Sequence, residues 1–422
     1  MKVLIVGSGG REHALADKVR WSRHQPDVLC APGNAGTRAL ARNMPVAADD
    51  VDGLTALARD EKVDLTIVGP EAPLCRGIVD RFQAAGLRIF GPTADAARIE
   101  GDKAYAKKLL RESRIPTAAG RSFTRYRDAR AYIATRDTPQ VVKAAGLAAG
   151  KGVVVCDDPA DALIEAERML VDGVFGDAGR CIVVEEKLIG RELSVHALVD
   201  GRNIYVLDSS QDHKRLVQGD TGPNTGGMGA YSPAPMATPA VMSVVESDII
   251  VPIIDTLRRH HIIYKGVLYC GLMLTPAGPK VLEFNCRFGD PEAQVLLPRL
   301  KADLLDLANA CIDGTLDQCE IEWDARPAVC VVAASEGYPG HYEKGKAIRG
   351  LTEAAALPDV SIYHAGTTAA ADGIITDGGR VLGVTALGDA LPDAHHRAYE
   401  AIGKIAFDGI YYREDIADSG VG

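Results

Sequence analysis

The sequence of 422 residues lacks the features that mark several specialised classes of protein. It has no apolar run near the length that crosses a bilayer, and residues 1–7 are typical of a first strand, so we expect neither a membrane protein nor a signal peptide. Its nine cysteines are scattered without a CxxC pair, which favours reduced thiols in the cytoplasm over a disulfide framework or a zinc site. A net charge of -10 at pH 7 argues against a nucleic-acid-binding surface.

The remaining composition is that of a soluble globular protein, with 47% hydrophobic and 25% charged residues. A chain of this length exceeds one ordinary core, so we expect two to four domains. Within residues 1–100, short apolar runs end in Gly/Pro turns before amphipathic stretches, which is the pattern of a parallel βα sheet. Ligands of such sheets bind at the carboxyl ends of the strands, which here carry Gly9, Gly10, Arg11, Asn34 and Glu71.

The first of these turns, GSGGRE, resembles a dinucleotide-binding turn only in part. The third glycine of GxGxxG is replaced by Glu12, and the second strand ends without an acid that could hold a ribose hydroxyl. We therefore reject a nicotinamide-dependent oxidoreductase, although the turn can still hold a phosphate at a helix N-terminus. The histidines show no metal-ligand spacing, and we expect only His13 and His213 to contact ligand; the others, including His364, are expected in solvated or capping roles.

A glycine-rich hairpin is predicted between strands at residues 141–143 and 153–156. It is not a Walker loop, because Ala145 and Gly152 stand where a glycine and a Ser/Thr are required, and a strand follows it. Lys143 at its base and Lys151 near its tip are suited to neutralising a triphosphate. The alternative is a surface hairpin with a solvated lysine.

Residues 211–235, QDHKRLVQGDTGPNTGGMGAYSPAP, combine charge with glycine and contain few apolar side chains. Such a segment is expected at the surface, because it cannot bury enough apolar area to offset its ordering. Glycines beside concentrated charge predict a site for an anionic small molecule. The alternative is a solvated, turn-rich loop.

The segment EFNCRFGDPE predicts a magnesium site. Glu283 and Asn285 are two apart on a predicted strand, so both side chains point to one face and offer the hard oxygen ligands that magnesium takes. Arg287 lies on the same face if the strand continues, and offers a fork for a carboxylate or a phosphate. The alternative is a structural ion pair between Glu283 and Arg287. From about residue 328, β-rich segments and one helix near residues 393–405 predict a closing α+β domain.

Several segments, taken together, resemble the phosphoribosylamine–glycine ligase family, also called glycinamide ribonucleotide synthetases, of the ATP-grasp carboxylate–amine ligases. The resemblance is carried in order by GSGGREHAL, APGNAGT, TIVGPEAPL, IFGPTADAARIEGDKAYAK, VVKAAGLAAGKGV, VVEEKLIGRELS, DTGPNTGGMGAYSP and EFNCRFGDPE. It implies an α/β and α+β multidomain protein: an ATP-grasp fold preceded by a Rossmann-like parallel βα domain and followed by a small α+β domain. The implied divisions are 1–100, 101–120 with 190–327, a lid over 121–189, and 328–422.

The resemblance also implies the reaction and its partners. ATP phosphorylates the glycine carboxylate, and the amine of 5-phosphoribosylamine then attacks the glycyl phosphate, giving glycinamide ribonucleotide, ADP and phosphate. The expected cofactor is Mg²⁺ or Mn²⁺, the partners are small molecules without nucleic acid or membrane, and the chain is expected to be a monomer or at most a weak dimer. Positioning and charge neutralisation carry such chemistry without a side-chain nucleophile.

Site residues follow from the family pattern by position. It implies an ATP site at Lys103, Lys107, Lys143, Gly150, Lys151, Gly152, Glu185, Glu186, Leu188 and Glu192. It implies metal ligands at Glu283 and Asn285, catalytic residues at Asp212, Lys214 and Arg287, and substrate contacts at Gly9, Gly10, Arg11, Asn34, Glu71, Asp212, Arg287 and Gly289.

Two departures from the family pattern leave questions open. Ala145 replaces the usual acid, and the strand before EFN offers no third metal carboxylate. Other open alternatives are an ATP-grasp carboxylase with a different acceptor and a non-catalytic nucleotide sensor.

Overall fold

The amino-terminal region is a parallel five-stranded sheet covered by helices. The computed structural model describes residues 1–148 and 150–421 of the chain. The first elements are β1 (Lys2–Gly7), α1 (Gly10–Arg20), β2 (Asp27–Pro32), β3 (Arg42–Asn43), α2 (Val51–Asp60), β4 (Leu65–Val68), α3 (Glu71–Cys75), α4 (Ile78–Ala84), β5 (Ile89–Phe90) and α5 (Ala94–Gly101). The strand order is β3-β2-β1-β4-β5, and every pair is parallel, as the sequence predicts.

Both faces of this sheet are buried, which is the normal state of a parallel sheet. Leu4 and Val6 of β1 belong to one hydrophobic cluster with residues of α2 and α4. Val3 and Ile5 belong to a second cluster, which includes residues of α1 and of a helix near residue 305. The sheet is therefore packed against the middle of the chain.

Residues 120–186 form a small antiparallel sheet with two helices, which we call the flap. Its elements follow α6 (Lys103–Glu112) and are β6 (Gly120–Phe123), α7 (Tyr126–Ile133), β7 (Gln140–Ala144), β8 (Val153–Cys156), α8 (Pro159–Leu170) and β9 (Ile182–Glu186). The strand order is β6-β9-β7-β8, and β7 pairs with β8 as the predicted hairpin. Val142 and Ala144 face a hydrophobic cluster made only of flap residues, so the flap has its own core.

A four-stranded antiparallel sheet, the central sheet, lies beneath the flap. It consists of β10 (Arg191–Asp200), β11 (Ile204–Val206), β16 (Lys265–Thr275) and β17 (Gly278–Asn285). Four strands that are not part of this sheet lie between β11 and β16 in the chain: β12 (Gln211–Asp212), β13 (Arg215–Val217), β14 (Thr221–Asn224) and β15 (Gly229–Ser232). The helices of this region are α9 (Pro239–Val245), α10 (Val251–Arg259), which follows it through one π-helical turn, α11 (Ala293–Arg299) and α12 (Leu304–Asp313). The predicted hairpin of β16 and β17 is present.

The expectation of a surface segment at residues 211–235 is wrong for its first residues and for β15. Residues 217–223, Gly226 and Pro235 are exposed there, whereas Asp212, His213 and the whole of β15 are buried. β12 pairs with β15, and β15 pairs with a strand of the carboxy-terminal region. Met228 and Tyr231 supply apolar area for this burial.

The carboxy-terminal region contains the remaining elements: β18 (Ala328–Ser335), α13 (Leu351–Ala355), β19 (Val360–His364), β20 (Thr367–Ala370), β21 (Gly373–Thr376), β22 (Arg380–Leu387), α14 (Leu391–Ile402), β23 (Ile410–Tyr411) and α15 (Asp418–Val421). The carboxy-terminal sheet has the order β12-β15-β18-β22-β19, with β23 also paired to β18. α14 is the helix expected near residues 393–405, whereas the short helices α13 and α15 were not predicted. No helix in the described part of the chain is both long and apolar enough to cross a membrane.

Candidate active site

A cavity of about 620 Å³ lies where the flap, the central sheet, the amino-terminal region and the carboxy-terminal sheet meet. Most residues that the sequence singled out line it: Arg11, Glu71, Lys103, Lys107, Lys143, Gly150, Gly152, Glu185, Glu186, Leu188, Glu192, Asp212, Lys214, Glu283, Asn285, Arg287 and Gly289. Segments that are more than 200 residues apart in the chain therefore meet at one charged cavity.

One end of the cavity is a cluster of lysines around a buried acid. The Glu185 carboxylate, at the end of β9, forms ion pairs with Lys143 of β7 and Lys107 of α6. Burial acts to raise the pKa of Glu185, but Lys143 and Lys107 outweigh it and hold the pKa below its usual value. Lys107 also donates to the Thr117 hydroxyl at 2.7 Å. Glu185 therefore stays ionised and fixes both ammonium groups in the cavity wall.

Lys103 extends this basic end toward the hairpin of the flap. Its backbone N–H donates to the carbonyl of Ala145, and its ammonium lies 3.5 Å from the carbonyl of Gly146. Burial lowers the pKa of Lys103, and the Glu283 carboxylate opposes that shift. A bound polyanion would stabilise the charged ammonium groups of these lysines, which burial has deprived of water.

Glu283 and Asn285 lie two positions apart on β17, as predicted, and both line the cavity. The Lys214 ammonium lies 3.3 Å from Glu283 and 3.5 Å from Glu192. Burial raises the pKa of Glu283, but Lys214, Lys103 and Lys143 lower it to about 2. A carboxylate that is ionised at neutral pH beside an amide oxygen is a donor set suited to Mg²⁺.

Arg287 differs from its prediction. β17 ends at Asn285, so Arg287 is not on the face of that strand. The guanidinium lies 2.8 Å from Glu100 and 3.3 Å from Glu71, and the expected alternative, an ion pair between Glu283 and Arg287, is absent from the ion pairs of residues 1–148 and 150–421. Burial acts against the charge of Arg287, but Glu100 and Glu71 raise its pKa. Two acids of the amino-terminal region, Glu71 and Glu100, thus hold the Arg287 guanidinium in place.

Asp212 marks the other end of the cavity. It is buried, and its Oδ1 has no hydrogen-bond partner within the described residues. Burial raises the pKa of Asp212 well above its usual value, and the neighbouring Glu292 raises it further. A buried carboxylate oxygen without a partner is costly unless a ligand supplies a donor.

Four predicted residues do not line this cavity. The N–H of Gly9 donates to Glu12 at 2.6 Å, and the Gly10 Cα faces Gln294. The Asn34 amide donates to the carbonyls of Ser8 and His364. Lys151 lines a neighbouring open cavity of about 900 Å³ between the flap and residues 335–340. Their ligand contacts remain predictions.

Glu12 fills the turn in which a dinucleotide would need space. A Cβ at Gly7, Gly9 or Gly69 would lie within 3 Å of the Glu12 side chain. The packing of Glu12 alone therefore accounts for glycine at these three positions, and no bound nucleotide is needed to explain them. This agrees with the rejection of a nicotinamide site.

The structure does not bring His13 and His213 into the cavity, and their contact with ligand stays a prediction. The His13 Nδ1 accepts from the backbone N–H of His364, and both rings are buried between the amino- and carboxy-terminal regions. His213 is buried against Tyr231, and neither His13 nor His213 lines the cavity. Burial lowers the pKa of His13 to about 3 and that of His213 to about 4. His364, expected to be solvated or capping, is also buried, because its strand packs against α1.

The sequence reasoning missed several cavity residues: Glu100, Tyr269, Asp290, Glu292, Tyr338 and Arg380. Asp290 and Glu292 lie within the EFNCRFGDPE segment and could have been chosen from it. Arg380 carried no local signal, since it comes from a β-rich region and reaches the cavity only through the fold.

Family models match nearly the whole chain. Residues 1–100 match the phosphoribosylglycinamide synthetase N domain, residues 101–293 the ATP-grasp (A) domain, and residues 328–419 the C domain of the same family. The chain belongs to the phosphoribosylglycinamide synthetase family. Residues that line the cavity come from all three matched ranges.

Individual proteins that are similar to this chain support the family assignment. The chain is 52% identical over 423 residues to the phosphoribosylamine–glycine ligase of Rhodopirellula baltica, covering 99% of this chain and 97% of that one. It is similar to the crystal structure of phosphoribosylamine–glycine ligase from Thermotoga maritima, with a TM-score of 0.84, 33% identity, and coverage of 99% and 100% of the two chains. A biotin carboxylase–ATP-analogue complex from Campylobacter jejuni has a TM-score of 0.74 at 14% identity and shares the fold alone, covering 97% and 92% of the chains.

Proposed function

We propose that this protein ligates glycine to 5-phosphoribosylamine with ATP, giving glycinamide ribonucleotide, ADP and phosphate, a step of purine biosynthesis. The observation that carries the proposal is one cavity with a basic end, an acid–amide pair and an acidic end in a chain of the synthetase family. Full-length relatives bearing the ligase name support glycine as the activated acid over the bicarbonate of carboxylases.

The basic end is suited to the phosphates of ATP. Lys103, Lys107 and Lys143 bring three ammonium groups to it, beneath the hairpin that carries Gly150, Lys151 and Gly152. Glu186, Leu188 and Glu192 line the cavity next to Glu185 and are assigned to the adenosine. In this assignment Glu185 acts as a positioning group for Lys107 and Lys143.

The acid–amide pair fits a divalent cation. Glu283 and Asn285 offer hard oxygens, and Lys214 already places a positive charge 3.3 Å from Glu283. We assign Mg²⁺, or Mn²⁺, to this pair. When bound, the ion would neutralise phosphate charge. Glu192 lies 3.5 Å from the same Lys214 ammonium and is a further carboxylate beside the pair.

The acidic end is suited to an amino acid. Asp212 offers an unpartnered oxygen for an ammonium group, and we assign the carboxylate to Arg287 and the backbone of Gly289, which also line the cavity. Arg11 and Glu71 line the side that faces the amino-terminal sheet, where we assign 5-phosphoribosylamine together with Gly9, Gly10 and Asn34.

The reaction balances without a protein nucleophile. A glycine carboxylate oxygen attacks the γ-phosphorus, the bond to ADP breaks, and glycyl phosphate forms. The amine of 5-phosphoribosylamine then attacks the glycyl carbonyl carbon, the C–N bond forms, and phosphate leaves with one oxygen from glycine. Lys214 and Arg287 would stabilise the developing charges, since fixed cations in a water-poor site stabilise them strongly.

We further propose that the enzyme acts as a monomer, or at most as a weak dimer, in the cytoplasm. All nine cysteines are free thiols, which suits a reducing compartment. Sedimentation equilibrium would test the first statement: a stable dimer at micromolar concentration would contradict it.

ADP formation tests the proposed function. The purified chain is given Mg-ATP with glycine and 5-phosphoribosylamine, or with bicarbonate and a carboxylase acceptor. ADP should form only with glycine and the phosphoribosyl amine. Turnover with bicarbonate alone would sink the proposal.

A further inference from the structure

We propose that Arg380 of the carboxy-terminal sheet is a positioning residue for the amino-acid end of the cavity. It holds residues 225–227 against the turn at Asp290, so that the Asp212 carboxylate faces the cavity. The inference rests on the proposed function, because it assigns this end of the cavity to glycine. It gives the carboxy-terminal region a part in the reaction.

The contacts of Arg380 join two loops. Its Nη1 donates to the carbonyls of Gly226 and Gly227 on one loop, and to the carbonyl of Asp290 at 2.7 Å on the other. Its Nη2 lies 3.2 Å from the Asp290 carboxylate. One guanidinium therefore satisfies three backbone carbonyls and an acid, all on segments outside its own sheet strand. A rigid planar fork is suited to such a link, whereas a lysine offers a single charged point.

Two glycines in the joined loop are required by this packing. A Cβ at Gly226 would lie 2.9 Å from the Arg380 Cζ, so the guanidinium stacks directly on the loop backbone. Gly227 has a φ of +110°, and a Cβ there would lie 2.6 Å from the Asp212 Oδ1. The loop backbone thus lies between Arg380 and Asp212, and any movement of the loop changes the space at Asp212.

A second side chain of the same region makes a parallel link. The backbone N–H of Gly226 donates to the Tyr338 hydroxyl at 2.9 Å. Tyr338 and Arg380 both line the cavity. The hydrogen bonds and the ion pair of Arg380 go to Gly226, Gly227 and Asp290, so its loss should affect the amino-acid end selectively.

Loss of the guanidinium has two expected consequences. Three carbonyls and Asp290 lose a charged donor, and such bonds are individually strong. The pKa of Asp212, raised first by burial and then by Glu292, loses an opposing cation, because Arg380 lowers it. The pH dependence of activity on its acidic side should therefore move to higher pH.

The test compares Arg380→Gln with Arg380→Lys and with a control, Arg397→Gln. Arg397 is also a partly buried arginine of the carboxy-terminal region and pairs with Asp359, away from the cavity. Arg380→Gln should raise the KM for glycine about tenfold or more, while affinity for a non-hydrolysable ATP analogue stays within about twofold. Arg380→Lys should recover part of the loss, and Arg397→Gln should behave as the wild type.

Amide hydrogen exchange gives a readout that does not depend on catalysis. Exchange at residues 225–228 should rise in Arg380→Gln and stay unchanged in Arg397→Gln. A folded Arg380→Gln with wild-type exchange there, or one that loses glycine and ATP-analogue binding equally, would overturn the positioning role. A wild-type protein without glycine-dependent turnover would instead overturn the proposed function, whatever the exchange shows.

Discussion

At the scale of single residues, the cavity is defined by acids that burial alone would neutralise. Burial raises the pKa of Glu283, yet three lysines bring it to about 2, and Lys143 and Lys107 act similarly on Glu185. At Asp212, burial, Glu292 and Glu192 outweigh Lys214 and Arg380, so its pKa rises. Acids with opposite pKa shifts within one cavity are typical of a functional site, because each environment suits a different task.

Glu283→Gln tests the metal assignment. The amide keeps the shape but lacks the charge, so Mg-dependent ATP turnover should fall by about 10²–10³-fold, the usual cost of losing one preorganised group. The far-UV circular dichroism should be unchanged. Glu320→Gln, a substitution of an exposed carboxylate, is the control and should keep full activity. Wild-type turnover in Glu283→Gln would rule out Glu283 as a metal ligand.

At the scale of elements, the sequence predicted most strands and missed several others, both short strands in local hairpins, such as β11 and β13, and strands with distant partners. β1, β4 and the two hairpins are apolar runs bounded by glycine or proline, so local pattern sufficed. β12 and β15 were not predicted, because β12 pairs with β15 and β15 pairs with β18, which is about 100 residues away in the chain. The side-chain direction of Arg287 was missed because β17 ends at Asn285.

Two lysines of the flap hairpin should separate stability from binding. Lys143→Met leaves the buried Glu185 with only Lys107, so the free energy of unfolding should fall by roughly 3 kcal/mol, and the KM for ATP should rise. Lys151 is exposed, so Lys151→Met should change stability by less than about 0.5 kcal/mol while raising the KM for ATP. Urea unfolding and steady-state kinetics measure both. Equal stability of the two variants would contradict the burial argument.

At the scale of the whole molecule, one cavity is assembled from every part of the chain. The family motifs identified Glu283, Asn285 and the flap lysines, because each lies within a contiguous pattern. Arg380 could not be chosen, since its approach to the cavity depends on packing between distant segments, whereas Glu100 lies within the motif IFGPTADAARIEGDKAYAK and was not chosen from it. The interface of the amino- and carboxy-terminal regions, with His13 and His364 buried together, was likewise invisible in the sequence.

Buried neutral histidines should make stability depend on pH. Burial lowers the pKa to about 3 in His13 and His196 and to about 4 in His213 and His364. Below the ordinary pKa of about 6.5 the unfolded chain binds protons that the folded chain does not, so stability falls as pH decreases. Each histidine contributes about 1.4 kcal/mol per pH unit in that window, which extends down to its folded pKa.

Thermal unfolding between pH 7 and pH 5 measures this effect. The Tm of the wild type should fall, and His364→Gln should show a smaller fall because one such group is missing. His341→Asn, a change at an exposed histidine, should follow the wild type. An identical pH dependence in His364→Gln would show that His364 titrates normally in the folded state.

The most direct test of the central claim follows one oxygen atom. Glycine labelled with ¹⁸O in its carboxylate is incubated with the enzyme, Mg-ATP and 5-phosphoribosylamine, and the released phosphate is analysed by mass spectrometry. Passage through glycyl phosphate predicts that each phosphate carries one ¹⁸O from glycine. Unlabelled phosphate formed together with glycinamide ribonucleotide would show that the glycine carboxylate is never phosphorylated, and would contradict the account.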